Sequence, residues 1–160
     1  MGAGKSTVGR RLARRLGWPW RDSDTDIEAA TGLTVRELRD RDGVDAMHAL
    51  EARQLLDALA APEPSVISAA ASVVDEPACR EGLSGPGVRV IWLRATPAVL
   101  TQRFASADRH RPDFGASPLA FLTEQAARRE PLLASLHPIV VDVDDLGPDE
   151  AAARAVEALG

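Results

Sequence analysis

A single cysteine, Cys79, leaves no disulfide within one chain and no cysteine-based metal site, so its simplest use is as a small buried hydrophobe. Histidine is almost as scarce. His48, His110 and His137 lie singly along the chain, which argues against a histidine metal cluster. No apolar run is long enough to span a bilayer and the N-terminus lacks the apolar core of a secretory signal, so no membrane association and a cytoplasmic location are expected. Excess positive charge is missing too. A net charge of -5 and a pI near 5.2 speak against nucleic acid or an anionic membrane as partner, and the local cluster Arg10, Arg11, Arg14 and Arg15 reads as a solvated helix face. With 160 residues, 45% of them hydrophobic, the chain fits one domain with a substantial core, and a monomer is expected.

The most informative scarcity is lysine. Of the 19 basic residues 18 are arginine, and the only lysine is Lys5 in the opening stretch MGAGKST. That stretch ends as a phosphate-binding loop ends, with Gly4-Lys5-Ser6, and the one position that keeps lysine is where a compact ammonium must reach between phosphates. The first glycine of the full pattern would fall one position before Met1.

Periodicity outlines the rest. Val8, Leu12 and Leu16 at four-residue spacing before Gly17 predict a helix over 6–16 that starts at the loop and turns its positive end to the phosphates. A short strand over 18–21 delivers Asp22 and Asp24, Thr34 to Glu37 has the spacing of a capping box, and a longer helix runs over 44–59. Strands are expected at 65–69, 88–93 and 139–143, and helices at 77–83, 97–104, 118–129 and 148–159. This alternation implies a parallel sheet covered on both faces. The polar, Arg-rich segment 104–117 is weakly periodic and reads as a functional lid loop.

The chemistry suggested is phosphoryl transfer, with ATP and Mg²⁺. Backbone N–H groups of Gly2, Ala3, Gly4, Lys5, Ser6 and Thr7 can cradle phosphate, Lys5 can neutralise it, and the Ser6 hydroxyl can hold Mg²⁺. Asp22 at the strand tip is placed to order Mg²⁺, and Asp24 to orient or deprotonate an acceptor hydroxyl; both would serve equally as caps of the following helix. Arg111 is the candidate lid arginine, with Arg109 as fallback. Arg103 is placed to stack on adenine or to lie exposed on its helix, and Arg129 to clamp an anionic substrate.

Taken in order, the stretches GAGKSTVGRRLARRLG, DSDTDIEAATGLTVRELRDRDG, RHRP, RREPLL and VVDVDDLGPDE resemble the shikimate kinases, a family of nucleoside-monophosphate-kinase-like P-loop kinases, almost end to end. The resemblance implies a three-layer α/β/α fold and shikimate as the small hydroxylated acceptor. It assigns Mg²⁺ assistance to Asp22, acceptor hydroxyls to Asp24, the lid arginine to Arg111, the carboxylate clamp to Arg129 and the adenine side to Arg103. Two departures fall on the acceptor side. His48 stands where the family has a second carboxylate-binding arginine, and Ala70, Ala71 and Ser72 stand where it has a Gly-Gly-Gly turn, with Ser68 and Ser72 as sources of new hydrogen bonds. A kinase of another small hydroxylated metabolite, and a nucleotide-binding homologue without turnover, are the alternatives. In such folds the strand ahead of the loop lies in the middle of the sheet; Met1 is therefore read as an internal methionine of a longer natural chain, and the first central strand as missing.

Overall fold

The computed structural model describes residues 2–105 and 117–160. Helix α1 (Lys5–Leu16) leads into strand β1 (Trp20–Asp22), which is followed by α2 (Ser23–Thr31), α3 (Val35–Asp42) and α4 (Val44–Leu59). Strand β2 (Val66–Ser68) passes through a 3-10 turn (Ala71–Asp75) to α5 (Pro77–Leu83). The chain continues through β3 (Ile91–Arg94), α6 (Pro97–Ala105), α7 (Pro118–Ala134), β4 (Ile139–Asp142) and α8 (Pro148–Leu159). Local chemistry sets the ends. Gly17 and Gly32 stop α1 and α2 at left-handed φ of 69° and 72°, and α3 opens on the expected capping box, Thr34 accepting from Glu37 N–H while Glu37 accepts from Thr34 N–H.

β1 pairs with β2 in parallel, Trp20 opposite Val66 through Asp22 opposite Ser68, and β3 pairs with β4, Ile91 opposite Ile139 through Arg94 opposite Asp142. The parallel sheet is present as these two pairs. Among the described residues no ladder joins β2 to β3.

Both pairs nevertheless bury side chains on a common face. Val66 of β2, Ile91 and Leu93 of β3, and Ile139 and Val141 of β4 pack with Val8 and Leu12 of α1 and Ala151, Ala152 and Ala155 of α8. Alternation along β2 sends Ile67 to the opposite face, against Ala52 and Leu55 of α4, Val73, Val74, Cys79, and Leu132 and Leu133 of α7. This is the α/β/α layering, and each fully buried Leu or Val contributes about 1.5–3 kcal/mol to holding it. Cys79 is the small buried hydrophobe expected of it, fully buried with its Sγ directed at the Ala52 carbonyl.

Several expectations shift in detail. β1 begins at Trp20 instead of Trp18, which is exposed ahead of Pro19, and β3 spans Ile91–Arg94 instead of 88–93. α7 continues five residues beyond Arg129 despite Pro131, because Leu132 and Leu133 gain burial that outweighs the lost hydrogen bond at the proline. The basic face of α1 is also more than solvated: Arg10 lies 4.4 Å over the Trp20 ring, and Arg11 pairs with Asp149 of α8 at 2.6 Å.

Candidate active site

The loop before α1 takes positive φ at Gly2 (78°) and Gly4 (85°), a conformation that costs a residue with Cβ about 1 kcal/mol or more. Gly4 is the N-cap of α1 and has no side chain to bond the N–H groups of the first turn. Those groups, on Lys5, Ser6 and Thr7, therefore point with the positive helix end toward whatever anion approaches. The other side of the loop is pinned. Ser68 Oγ donates to the Lys5 carbonyl at 3.2 Å and accepts from Trp20 Nε1 at 3.0 Å, which fastens β1 and β2 to the loop. This contact exists because position 9 is glycine: a Cβ there would overlap Ser68 Oγ and stand 3.0 Å from Trp20 Nε1. The Ser68 hydroxyl is thus engaged within the fold, instead of facing an acceptor as the sequence suggested.

Lys5 is the centre of the site's electrostatics. Burial of its ammonium end lowers its pKa, and the charges of Asp24, Asp22 and Glu51 oppose that while Arg129 adds to it. Asp22 ends β1 almost fully buried and accepts from Thr25 N–H at 3.4 Å as N-cap of α2, so its capping role and its place beside Lys5 coexist. Asp24 sits in the first turn of α2. Its residue is exposed overall, yet loss of water around the carboxyl raises its pKa, the Asp22 charge adds to the rise, and Lys5 and the Ser23 hydroxyl hold it back. The sequence-predicted pair Asp22 and Asp24 is therefore brought to Lys5, and the fold makes Asp24 the more basic carboxylate than an ordinary aspartate.

Glu51 completes this cluster. It projects from α4 only 6% exposed and accepts a hydrogen bond from the Ser72 hydroxyl; desolvation pushes its pKa up, and the Asp24 charge adds to the rise. Ser72 is consequently spent on Glu51. Ala70 has extended backbone (φ -61°), and the next residues form the 3-10 turn, so the Ala70, Ala71, Ser72 segment carries no positive φ and none of the strain that a glycine turn would impose on them. Arg129 of α7, its side chain 14% exposed, donates to Asp75 from Nε at 3.1 Å and Nη2 at 2.7 Å, and Arg128 donates to the same carboxylate at 2.7 Å. Partial burial works to raise the Asp75 pKa, but the Arg129 hydrogen bonds and both arginine charges carry it below the usual carboxylate value. His48 lies half-buried within the field of these groups. Desolvation and the Arg129 charge lower its pKa against the pull of Asp75, which keeps it neutral near pH 7.

Arg103 is oriented by the loop after β4, donating to the Val143 carbonyl at 2.6 Å and the Asp144 carbonyl at 3.3 Å. Arg109, Arg111 and all of the expected lid but its flanks at 104, 105 and 117 lie outside the described residues. Sequence reasoning passed over Glu51, Asp75 and Arg128 as site groups. A signal for Glu51 was available, because it shares the apolar face of α4 with Ala52, Leu55 and Ala58, where a carboxylate needs a partner. Asp75 and Arg128 carry no such local signal. Among the described residues no group of three or more His, Cys, Asp or Glu is arranged to hold a metal ion. The hard oxygens of Ser6 and Asp22 fit Mg²⁺, which takes one or two protein ligands and the rest from phosphates and water.

Comparison with known proteins gives the same picture. The family model described as shikimate kinase matches residues 1–160. The chain is 38% identical to a shikimate kinase of Halorhodospira halophila, covering 99% of this chain and 89% of that one, and 36% identical to a shikimate kinase of Thermobifida fusca, covering 94% and 86%. Among solved structures it is similar to the shikimate kinase of Bacteroides thetaiotaomicron, with a TM-score of 0.87 at 27% identity over 99% of this chain and 93% of that one. It shares its fold with the Acinetobacter baumannii shikimate kinase solved in complex with shikimate, with a TM-score of 0.85 at 24% identity over 99% and 88%. A phosphate-loop sequence whose lysine lies in the charge field of Asp22, Asp24 and Glu51, on this fold and matched over its whole length by one family model, places the chain in the shikimate kinase family.

Proposed function

We propose that the protein transfers the γ-phosphoryl group of ATP to a hydroxyl of shikimate. The observation that carries this reading is the convergence of Lys5, Asp22 and Asp24 at the positive end of α1, within a chain matched throughout by one kinase family. The N–H groups of residues 2–7 hold phosphate oxygens, and the polyphosphate favours the charged form of Lys5, whose pKa burial lowers. Ser6 and Asp22 hold Mg²⁺, which supplies charge neutralisation at the phosphates. Asp24 orients the acceptor hydroxyl and takes its proton, a role that a raised pKa favours. Arg129 faces the acceptor's carboxylate, with His48, Ala70, Ala71 and Ser72 along the same side; Arg103 is assigned to the adenine, and Arg111 to the charge of the transferring phosphoryl group. The unit works as one domain, a monomer in the cytoplasm.

A neutral His48 and an Arg129 already bonded to Asp75 favour one second reading, a different hydroxylated acid as acceptor. The test is ADP release with Mg-ATP in the presence of shikimate or a panel of related hydroxylated acids. Shikimate-dependent release that is lost in Asp24→Asn supports the first reading, and release with another acid alone replaces it with the second.

A further inference from the structure

The carboxylate of Asp75 lies between two guanidinium groups, and the two are held differently. Arg129 offers its Nε and Nη2 edge, with three donor contacts of 3.3, 3.1 and 2.7 Å, whereas Arg128 makes a single contact at 2.7 Å from a side chain 54% exposed. A guanidinium has two edges that can each grip a carboxylate, so binding one of them to Asp75 fixes the plane of Arg129 and leaves the terminal Nη edge for another anion. The backbone supports this. Asp75 closes the 3-10 turn that carries Ser72, the partner of Glu51, so one short segment sets both a carboxylate of the Lys5 cluster and the orientation of Arg129. Charge also fits: two arginines against one aspartate leave the group net positive, as an anion-binding subsite requires.

We infer that Asp75 is the positioning residue of the acceptor subsite, holding Arg129 by one edge so that the other meets the anionic group of the substrate. It acts through Arg129 and touches neither nucleotide nor reacting oxygen. The inference deepens the proposed shikimate reading and rests on it for the identity of the anion. In Asp75→Asn the Arg129 guanidinium loses its charged partner and its fixed plane. The KM for shikimate then rises about tenfold, the loss expected for a mis-set charge-assisted pair, while kcat and the KM for ATP stay within about twofold. Asp75→Glu recovers part of the loss.

The closing experiment pairs these kinetics with the NMR signal of the Arg129 Nε–H, assigned through Arg129→Lys. A slowly exchanging signal is expected in the parent protein and an exchange-broadened one in Asp75→Asn, with or without substrate. An unchanged or lower shikimate KM, or an equal rise of the ATP KM, overturns the inference. Should the parent protein fail to turn over shikimate, the proposed function falls, and the signal alone decides on Asp75: identical Nε–H exchange in parent and variant overturns its role, and broadening in the variant upholds it.

Discussion

Replacing Gly9 by alanine isolates one junction between fold and site. In the middle of α1 the substitution gains about 1 kcal/mol of helix propensity. The new methyl, however, overlaps Ser68 Oγ and stands 3.0 Å from Trp20 Nε1. Relieving it separates Ser68 from Trp20 and from the Lys5 carbonyl, two hydrogen bonds of about 1 kcal/mol each, and adds about 1–3 kcal/mol of overpacking between α1 and the strands. Repulsion wins by about 2–4 kcal/mol, a fall in Tm of about 4–16 °C for a chain of this size. Because Ser68 anchors the Lys5 carbonyl, the KM for ATP rises as well. Gly82→Ala is the matched control: its Cβ would meet Leu59 Cδ1 at 3.1 Å and Leu56 Cδ2 at 3.5 Å, the free ends of flexible side chains. Thermal unfolding followed by circular dichroism, with nucleotide titration of each variant, reads both effects. A Gly9→Ala protein as stable as the parent, or destabilised no more than Gly82→Ala, would refute the proposed packing of α1 on Ser68.

Lys5→Arg retains positive charge but not the compact ammonium, and kcat with ATP falls at least about 100-fold while shikimate binding by calorimetry changes little. For Glu51 the sign follows from its raised pKa: burial disfavours the charged form, so stability present below the ordinary value of 4.5 is lost as pH rises through the folded value. Glu51→Gln therefore raises Tm relative to the parent more at pH 7 than at pH 4, and an equal difference at both contradicts the buried environment. Asp75 has the opposite sign, its folded pKa lying below 3.8, so its contribution is present above that value and lost as pH falls through the folded one. The Tm difference between parent and Asp75→Asn should accordingly be full at pH 7 and vanish in strong acid, by scanning calorimetry.

Much of this could be read from the chain because the punctuation is local. Gly43 and Pro62 bracket α4, Pro77 opens α5, and Pro148 opens α8, and all three helices have the bounds that these residues imply. At Pro131 a local breaker is overridden by the tertiary burial of Leu132 and Leu133, which carries α7 past the expected end at 129. At the site, Lys5, Asp22 and Asp24 were legible because one loop and one strand tip deliver them. The Ser72–Glu51 and Arg129–Asp75 partnerships join residues 21 and 54 positions apart, which no spacing rule foresees. Ala70 and Ala71 stand where the resemblance places glycines, and the chain takes an extended and then 3-10 path there that alanine adopts freely.

The central claim is that a phosphoryl group passes from ATP to shikimate at Lys5 and Asp24. Phosphorus NMR of a reaction holding the protein, Mg-ATP and shikimate tests it most directly, with Asp24→Asn run in parallel. The account predicts loss of the ATP γ signal matched by one new phosphomonoester signal that requires shikimate and is strongly reduced in the variant. Conversion of ATP to ADP and inorganic phosphate alone, or an ester formed equally well by Asp24→Asn, would contradict it.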